Sequence, residues 1–377
     1  MIIYIIKENF LMNFLKNTGL KNKKTYIKAY NYLQNGKFEE SLRLFNYLLD
    51  ENYRSFSILF NLITIHNELN SLDTLLNKIN LLLDNEDYNY YELLIQKGNI
   101  FYLKKEYDEA IKCFDEILID DSDNLWAKFY KTKVLWETKE ECDFAKLCDI
   151  VKNNHANYYL LLLLGEFFLE VNMLDCALFC FNESIKKHSK NPTSWRDKGI
   201  VLKELNLYPE SLDAFSKSLK LNGLDPITWN YKGAVYNLIG KYDSALKCFD
   251  KCLSIDPNSV PVIVNKSISY FNLGNIDNSL KYCEFALKLD STNCHVWDNY
   301  ATFLFHANRL EESLNAYNHA LISCPKNITL LKNKLILLFN MGNWEDVLIF
   351  SDEILNINNE WNWVEEYKKL ASEKLNN

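Results

Sequence analysis

Pro226-Ile-Thr-Trp-Asn-Tyr-Lys-Gly233-Ala-Val-Tyr236-Asn-Leu-Ile-Gly240-Lys-Tyr242-Asp-Ser-Ala245-Leu-Lys-Cys-Phe249-Asp-Lys-Cys252-Leu-Ser-Ile-Asp-Pro257 is the stretch from which the rest of the chain can be read. Trp229, Gly233 and Tyr236 lie at i, i+4 and i+7, one stripe of a 3.6-period helix. Ala245, Phe249 and Cys252 repeat that spacing after a break at Gly240. Two short amphipathic helices with a tight turn between them must bury their stripes against each other.

The same pattern recurs outward in both directions. Gly165, Gly199 and Gly233 are 34 residues apart in succession and Gly98 shares their phase, while Gly36, Gly240, Gly274 and Gly342 hold a second phase seven residues later. Trp195, Trp229 and Trp297 each precede the first glycine phase by four. Phe45, Phe114, Phe181, Phe215 and Phe249 keep one later phase, with Tyr317 in place of Phe once. A fixed period of this length marks stacked helical hairpins, whose core grows along the array. That suits 377 residues, more than one compact core usually serves. A mid-helix glycine costs about 1 kcal/mol against alanine, so the first phase implies close approach of the partner helix.

These offsets of Trp, Gly, Tyr, Ala, Phe and Pro resemble the tetratricopeptide repeat (TPR) family over nearly the whole chain. The resemblance implies an all-α fold, a right-handed superhelical solenoid of about ten helical hairpins. Units are expected near Asn22, Phe56, Tyr91, Leu125, Tyr158, Pro192, Pro226, Val260, Cys294 and Ile328, an array over residues 22–361. The units from Phe56, Leu125 and Ile328 lack the first-helix glycine and are placed by phase. Pro192 and Pro226 begin first helices, Pro209 and Pro261 sit in first turns, and Pro257 and Pro325 lie between units, so none interrupts a helix. Short loops such as Asn35-Gly-Lys37 predict one continuous solenoid. Residues 362–377 read as a capping helix with Trp363, Val364, Tyr367 and Leu370 inward and Glu365, Glu366, Lys368 and Lys369 outward. Residues 1–21 read as an N-terminal segment or cap, with 1–11 open as a mis-assigned extension.

Composition excludes several functions. A net charge of −8 disfavours a polyanionic partner, so no nucleic acid is expected. The one basic run, Lys16, Lys21, Lys23, Lys24 and Lys28, reads as a solvated face. Met1–Ile6 is apolar but too short to span a bilayer, so no membrane association is expected. Ten cysteines in a long chain without a stapling pattern read as reduced thiols of a cytoplasmic protein. Cys176/Cys180 and Cys248/Cys252 are i, i+4 pairs that could present two thiolates, but their place beside the aromatic phase reads as core packing. His66, His155, His188, His295, His306 and His319 show no ligand spacing. No phosphate loop, metal helix or nucleophile elbow occurs, so no catalytic residue, metal or cofactor is assigned.

The resemblance implies that the outer face of each first helix lines a concave groove open to a partner. Asn265, Asn299 and Asn333 occupy offset six of three successive units, with Asn61 and Gln96 earlier. Carboxamides carry donor and acceptor, so such a row could pair with an extended backbone, like the asparagine ladder of peptide-binding members. Tyr130, Leu163, Asp197 and Tyr231 interrupt it. Tyr102, Trp126, Phe129, Tyr130, Trp136 and Tyr159 stand at outer offsets where exposed aromatics would anchor a partner, followed by a polar stretch with Arg196, Asp197, Lys203, Asn230 and Asn237. The carboxylate clamp of chaperone-binding members is not reproduced, since Arg196 and Lys332 are isolated. The expected function is a scaffold binding an extended or helical protein segment. The alternatives are a regulatory subunit acting on an enzyme in trans, or a cysteine- or metal-based sensor. Oligomeric state is not legible.

Overall fold

The computed structural model describes residues 20–51, 56–84, 89–153, 156–358 and 361–376. Residues 1–19, with the expected extension, and His155 lie outside them. Among the described residues there are twenty-one helices and no strand. They run α1 Leu20–Gln34, α2 Phe38–Asp50, α3 Phe56–Glu68, α4 Leu72–Leu83, α5 Tyr90–Leu103, α6 Tyr107–Asp120, α7 Leu125–Glu137, α8 Phe144–Asn153, α9 Tyr158–Glu170, α10 Leu174–Lys187 and α11 Pro192–Glu204. They continue with α12 Tyr208–Leu221, α13 Pro226–Leu238, α14 Tyr242–Ile255, α15 Val260–Asn272, α16 Ile276–Leu289, α17 Cys294–His306, α18 Leu310–Ser323, α19 Ile328–Met341, α20 Trp344–Ile357 and α21 Asn362–Leu375. Odd-numbered helices are the first helices of hairpins and even-numbered ones the second.

The chain divides into two compact units, Met1–Asn206 and Leu207–Asn377. Within each unit most consecutive helices pack, and first helices also touch the first helix of the next hairpin, as α3 with α5, α5 with α7, α7 with α9, and α13 with α15 do.

Each turn between the two helices of a hairpin holds one residue in the left-handed region. Gly36, Asn70, Lys105, Lys139, Asn172, Asn206, Gly240, Gly274, Asn308 and Gly342 all have φ between 51° and 76°. The second glycine phase is therefore a backbone requirement, met elsewhere by asparagine and twice by lysine. The next hairpin is started by side-chain caps: Asn89, Asn124, Asn157, Asn191, Asp225, Asn293 and Asn327 each accept a backbone N–H of the first turn, worth about 1 kcal/mol apiece. Trp195, Trp229 and Trp297 donate Nε1–H to the carbonyls of Ser189, Gly223 and Ser291, each at 2.9 Å, and so pin the preceding loop.

The first glycine phase is a packing requirement. A Cβ at Gly98, Gly165 or Gly233 would stand 2.5, 2.7 or 2.5 Å from the ring of Phe114, Phe181 or Phe249, sixteen residues on. Elsewhere the sixteen-residue pair is Ala29 and Phe45, Ser267 and Cys283, Ala301 and Tyr317, or Leu335 and Ser351, all of them buried.

In α21, Val364 is buried and Trp363 and Tyr367 pack on the α19/α20 core. Leu370, expected inward, is 45% exposed, and Ala371 takes the inward position.

The expectation of ten reduced thiols is corrected: Cys148–Cys176 and Cys294–Cys324 are disulfides. Cys148 on α8 and Cys176 on α10 face each other across neighbouring second helices with Cα atoms 6.0 Å apart, within the span a disulfide bridges. Sequence separation offered no hint of that adjacency.

Candidate functional site

The first helices of the N-terminal unit enclose a cavity of about 480 Å³. It is lined by Phe60, Ile63, Thr64 and Asn67 of α3, Asn99, Tyr102 and Leu103 of α5, Phe129, Tyr130 and Lys133 of α7, and Leu163, Glu166, Phe167 and Glu170 of α9. The volume lies in the range of about 300–1,000 Å³ typical of ligand pockets. Its walls are mostly apolar. α9 reads Tyr-Tyr-Leu-Leu-Leu-Leu-Leu-Gly-Glu-Phe-Phe-Leu-Glu, and residues from Tyr159 to Phe168 other than Glu166 are buried. A helix apolar on all sides must be packed on all sides, so the polar stripe of Glu166 and Glu170, four apart, opens on the cavity.

The aromatic run was expected to project into the groove. Phe129, Tyr130 and Tyr159 are instead only 3, 5 and 3% exposed, and Tyr102 and Trp126 are half-buried. They form a continuous floor: Tyr130 stacks on Phe114 at 5.7 Å and Trp126 at 6.2 Å, Trp126 meets Tyr159 at 5.9 Å, and Phe129 meets Phe167 at 5.8 Å. The correction has a plain cause: neighbouring first helices approach closely enough to cover each other's outer offsets. Trp136 alone of the set is 40% exposed, its ring edge-on to Phe144 at 5.6 Å.

Charge in the cavity is unevenly matched. The Lys133 ammonium lies over the Tyr102 ring, 5.1 Å from its centre, and burial lowers its pKa against the opposing pull of Glu170, Glu137 and Glu166. The Tyr102 hydroxyl donates to Glu137 Oε1 at 3.0 Å; burial, then that carboxylate, raise the phenol's pKa. The Glu166 carboxyl is held well above the usual range by burial and by the negative charge of Asp197, to which it hydrogen-bonds. Its Oε1 is buried with no hydrogen-bond partner. Asp197 in turn pairs with Arg196 Nε at 2.8 Å, and both are buried, so Arg196 is not the exposed groove residue its offset predicts.

The amide row lies in the other unit. Asn265 donates Nδ2–H to Asn230 Oδ1 at 3.0 Å, and Asn333 does the same to Asp298 Oδ1 at 3.1 Å, each reaching the preceding first helix. Asn299 donates to the carbonyl of His295 in its own helix at 3.0 Å. Asn237 bridges to the Asn265 carbonyl and accepts from Ser269. The structure therefore does not bring Asn265, Asn299 and Asn333 together as three free carboxamides; two of them tie α15 to α13 and α19 to α17.

Sequence reasoning missed Lys133, Glu166, Phe167 and Glu170. Two glutamates four apart in an otherwise apolar helix were the available signal.

Among the described residues no three metal-binding side chains cluster, and no helix is long and apolar enough to cross a membrane. The cysteine pairs offer little reactivity: burial pushes Cys180 up to about 12 and Cys248 and Cys252 up to about 11, keeping them protonated thiols.

Residues 27–74, 91–118, 226–259 and 260–293 match family models described as tetratricopeptide repeat. No curated protein matches the sequence. Among solved structures, a tetratricopeptide repeat protein from Parabacteroides merdae is similar at 17% identity and a TM-score of 0.51, over 75% of this chain and 98% of that one. A thermophilic TPR protein of Thermus thermophilus is 19% identical with a TM-score of 0.43, over 48% and 99%. The Cut9–Hcn1 hetero-tetramer of the APC/C is 13% identical with a TM-score of 0.49, over 93% and 76%. At these identities the likeness concerns fold alone.

Proposed function

The chain is a tetratricopeptide-repeat protein, and from that premise we propose that it is a non-catalytic scaffold that holds a segment of a partner protein on the first-helix face of its N-terminal unit. The observation carrying this reading is the cavity itself, which four successive first helices wall with apolar side chains while leaving it open. A folded chain gains nothing from such a recess, whereas an inserted side chain would lose its contact with water there. Tyr102, Phe129 and Tyr130 act as walls and floor, and Trp126 and Tyr159 stiffen the floor from behind. Trp136, the exposed aromatic, extends the apolar surface beyond Phe144. In the other unit Asn230, Asn265, Asn299 and Asn333 serve mainly to hold repeats in register, and their remaining oxygens are a secondary surface for the backbone N–H groups of an extended segment.

The test is site-specific photo-crosslinking in the native host. A photoreactive residue at Leu103, on the cavity, should label a defined partner segment; one at Ile119, exposed on second helix α6, should not. Asn67→Trp, which fills the mouth, should abolish labelling from position 103. Equal labelling from both positions, unaffected by Asn67→Trp, would refute the reading.

A further inference from the structure

An open apolar cavity alone says nothing about which segment enters it; its two glutamates do. Glu166 and Glu170 share one helix face, and their Cβ atoms are about 6 Å apart as for any i, i+4 pair. Glu166 Oε1 is buried without a hydrogen-bond partner. The sole basic residue lining the cavity, Lys133, makes no ion pair within 4 Å among the described residues. It is spent on the Tyr102 ring, while Glu137 is engaged by the Tyr102 hydroxyl.

On the reading that this cavity holds a partner segment, we propose that the segment carries a basic side chain, Arg or Lys, next to an aromatic or aliphatic one. The apolar residue packs on Phe129, Leu163 and Phe167, and the cationic head meets Glu166 Oε1 and the Glu170 carboxylate. A guanidinium supplies five N–H donors in a fixed fork and can pair with the Glu170 carboxylate while donating to Glu166 Oε1; an ammonium meets them as a point charge. A guest without a donor would leave Glu166 Oε1, already buried, without a hydrogen bond, which is unfavourable for any buried acceptor. An acidic guest would face the Glu170 carboxylate, with Lys133 already engaged by the Tyr102 ring.

The experiment selects a random 12-residue peptide library, displayed on phage, against the full chain. Binders are sorted by whether Asn67→Trp abolishes binding, which identifies those that use the cavity. Cavity-dependent binders should be enriched in Arg or Lys within two positions of Phe, Tyr, Leu or Met. They should lose at least about tenfold in affinity on Glu166→Gln/Glu170→Gln, as expected when a partly buried charge pair is broken. Glu170→Lys, at an exposed position, should move the selected sequences toward acidic residues. Cavity-dependent binders that are neutral or acidic, or that hold their affinity within twofold on the double variant, overturn the proposal and leave the scaffold reading intact. Binders that all ignore Asn67→Trp overturn both. Circular dichroism of each variant guards against misfolding, and Arg-for-Lys exchange within a selected peptide distinguishes fork from point charge.

Discussion

Gly233→Ala separates two effects of opposite sign. Alanine is favoured over glycine in a helix interior by about 1 kcal/mol. The new methyl would stand 2.5, 2.8 and 2.9 Å from Cε1, Cζ and Cδ1 of Phe249, against a normal carbon contact of about 3.5–4.0 Å. Phe249 is fully buried in the α13/α14 seam with Ala245 and Cys252, so the ring has nowhere to withdraw. Overpacking of this kind costs about 1–3 kcal/mol, which outweighs the propensity gain and leaves a net loss of up to about 2 kcal/mol.

The background variant Phe249→Leu removes the atoms in the way. There Gly233→Ala should become neutral or stabilising by up to about 1 kcal/mol, a sign reversal that propensity alone cannot produce. Gly240→Ala is the control: its φ of +73° costs about 1 kcal/mol in either background, with no atom within 4 Å of the new methyl. Stacked repeats open locally, so native-state hydrogen exchange of α13 and α14 in the full chain is the appropriate assay. If Gly233→Ala raises protection in the wild-type background, or costs the same with and without Phe249, the packing account of the first glycine phase is wrong.

Other consequences are as direct. Lys105→Gly and Lys139→Gly relieve left-handed backbones at φ 62° and 60° and should each stabilise by up to about 1 kcal/mol, measured as a higher urea midpoint. Thiol titration in denaturant without reductant should count six free cysteines rather than ten, and reducing Cys148–Cys176 or Cys294–Cys324 should cost about 2–4 kcal/mol each by freeing the unfolded chain; ten reactive thiols would refute both bridges. Asn265→Ala should destabilise by about 1 kcal/mol through the stranded Asn230 carboxamide, and should do so without any peptide present. Glu166 has a folded pKa raised above its ordinary 4.5, so its contribution is fully favourable below that value and is lost as pH rises through the folded pKa. Glu166→Gln should therefore raise the melting midpoint more at pH 8 than at pH 4; a pH-independent difference would show that folding leaves the carboxyl's pKa unshifted.

The helix register was legible because its determinants are local. A glycine every 34 residues and a Phe sixteen later report one hairpin's seam, and a single chain segment fixes both. Even so, glycine meant two different things in its two phases: room for a ring at Gly98, Gly165 and Gly233, and a positive φ at Gly36, Gly240, Gly274 and Gly342. What failed to show was set between hairpins. Offset six places Asn265 on the outer face of its helix but not within reach of Asn230, 35 residues earlier. Outer aromatics such as Phe129 and Tyr159 looked exposed because the covering helix belongs to the next repeat. Cys148 and Cys176 meet for the same reason, through the packing of α8 on α10.

That division also bears on where binding specificity can reside. Residues fixed by the hairpin seam are mostly small or aromatic in phase, as Gly98, Gly165 and Gly233 with Phe114, Phe181 and Phe249 show. Freedom to vary lies at the outer offsets of first helices, where Leu163, Glu166 and Glu170 replace what a regular repeat would put there. The apolar face of α9 requires neighbours on all sides, and the floor of stacked rings from Phe114 through Tyr130 and Trp126 to Tyr159 supplies them. With the floor that rigid, the two glutamates are held in place before any partner arrives, and little ordering remains to oppose binding. A cavity so prepared should discriminate by charge at its rim more than by shape at its floor. Charge reversal at Glu170 is therefore the substitution expected to change partner choice while leaving the fold untouched.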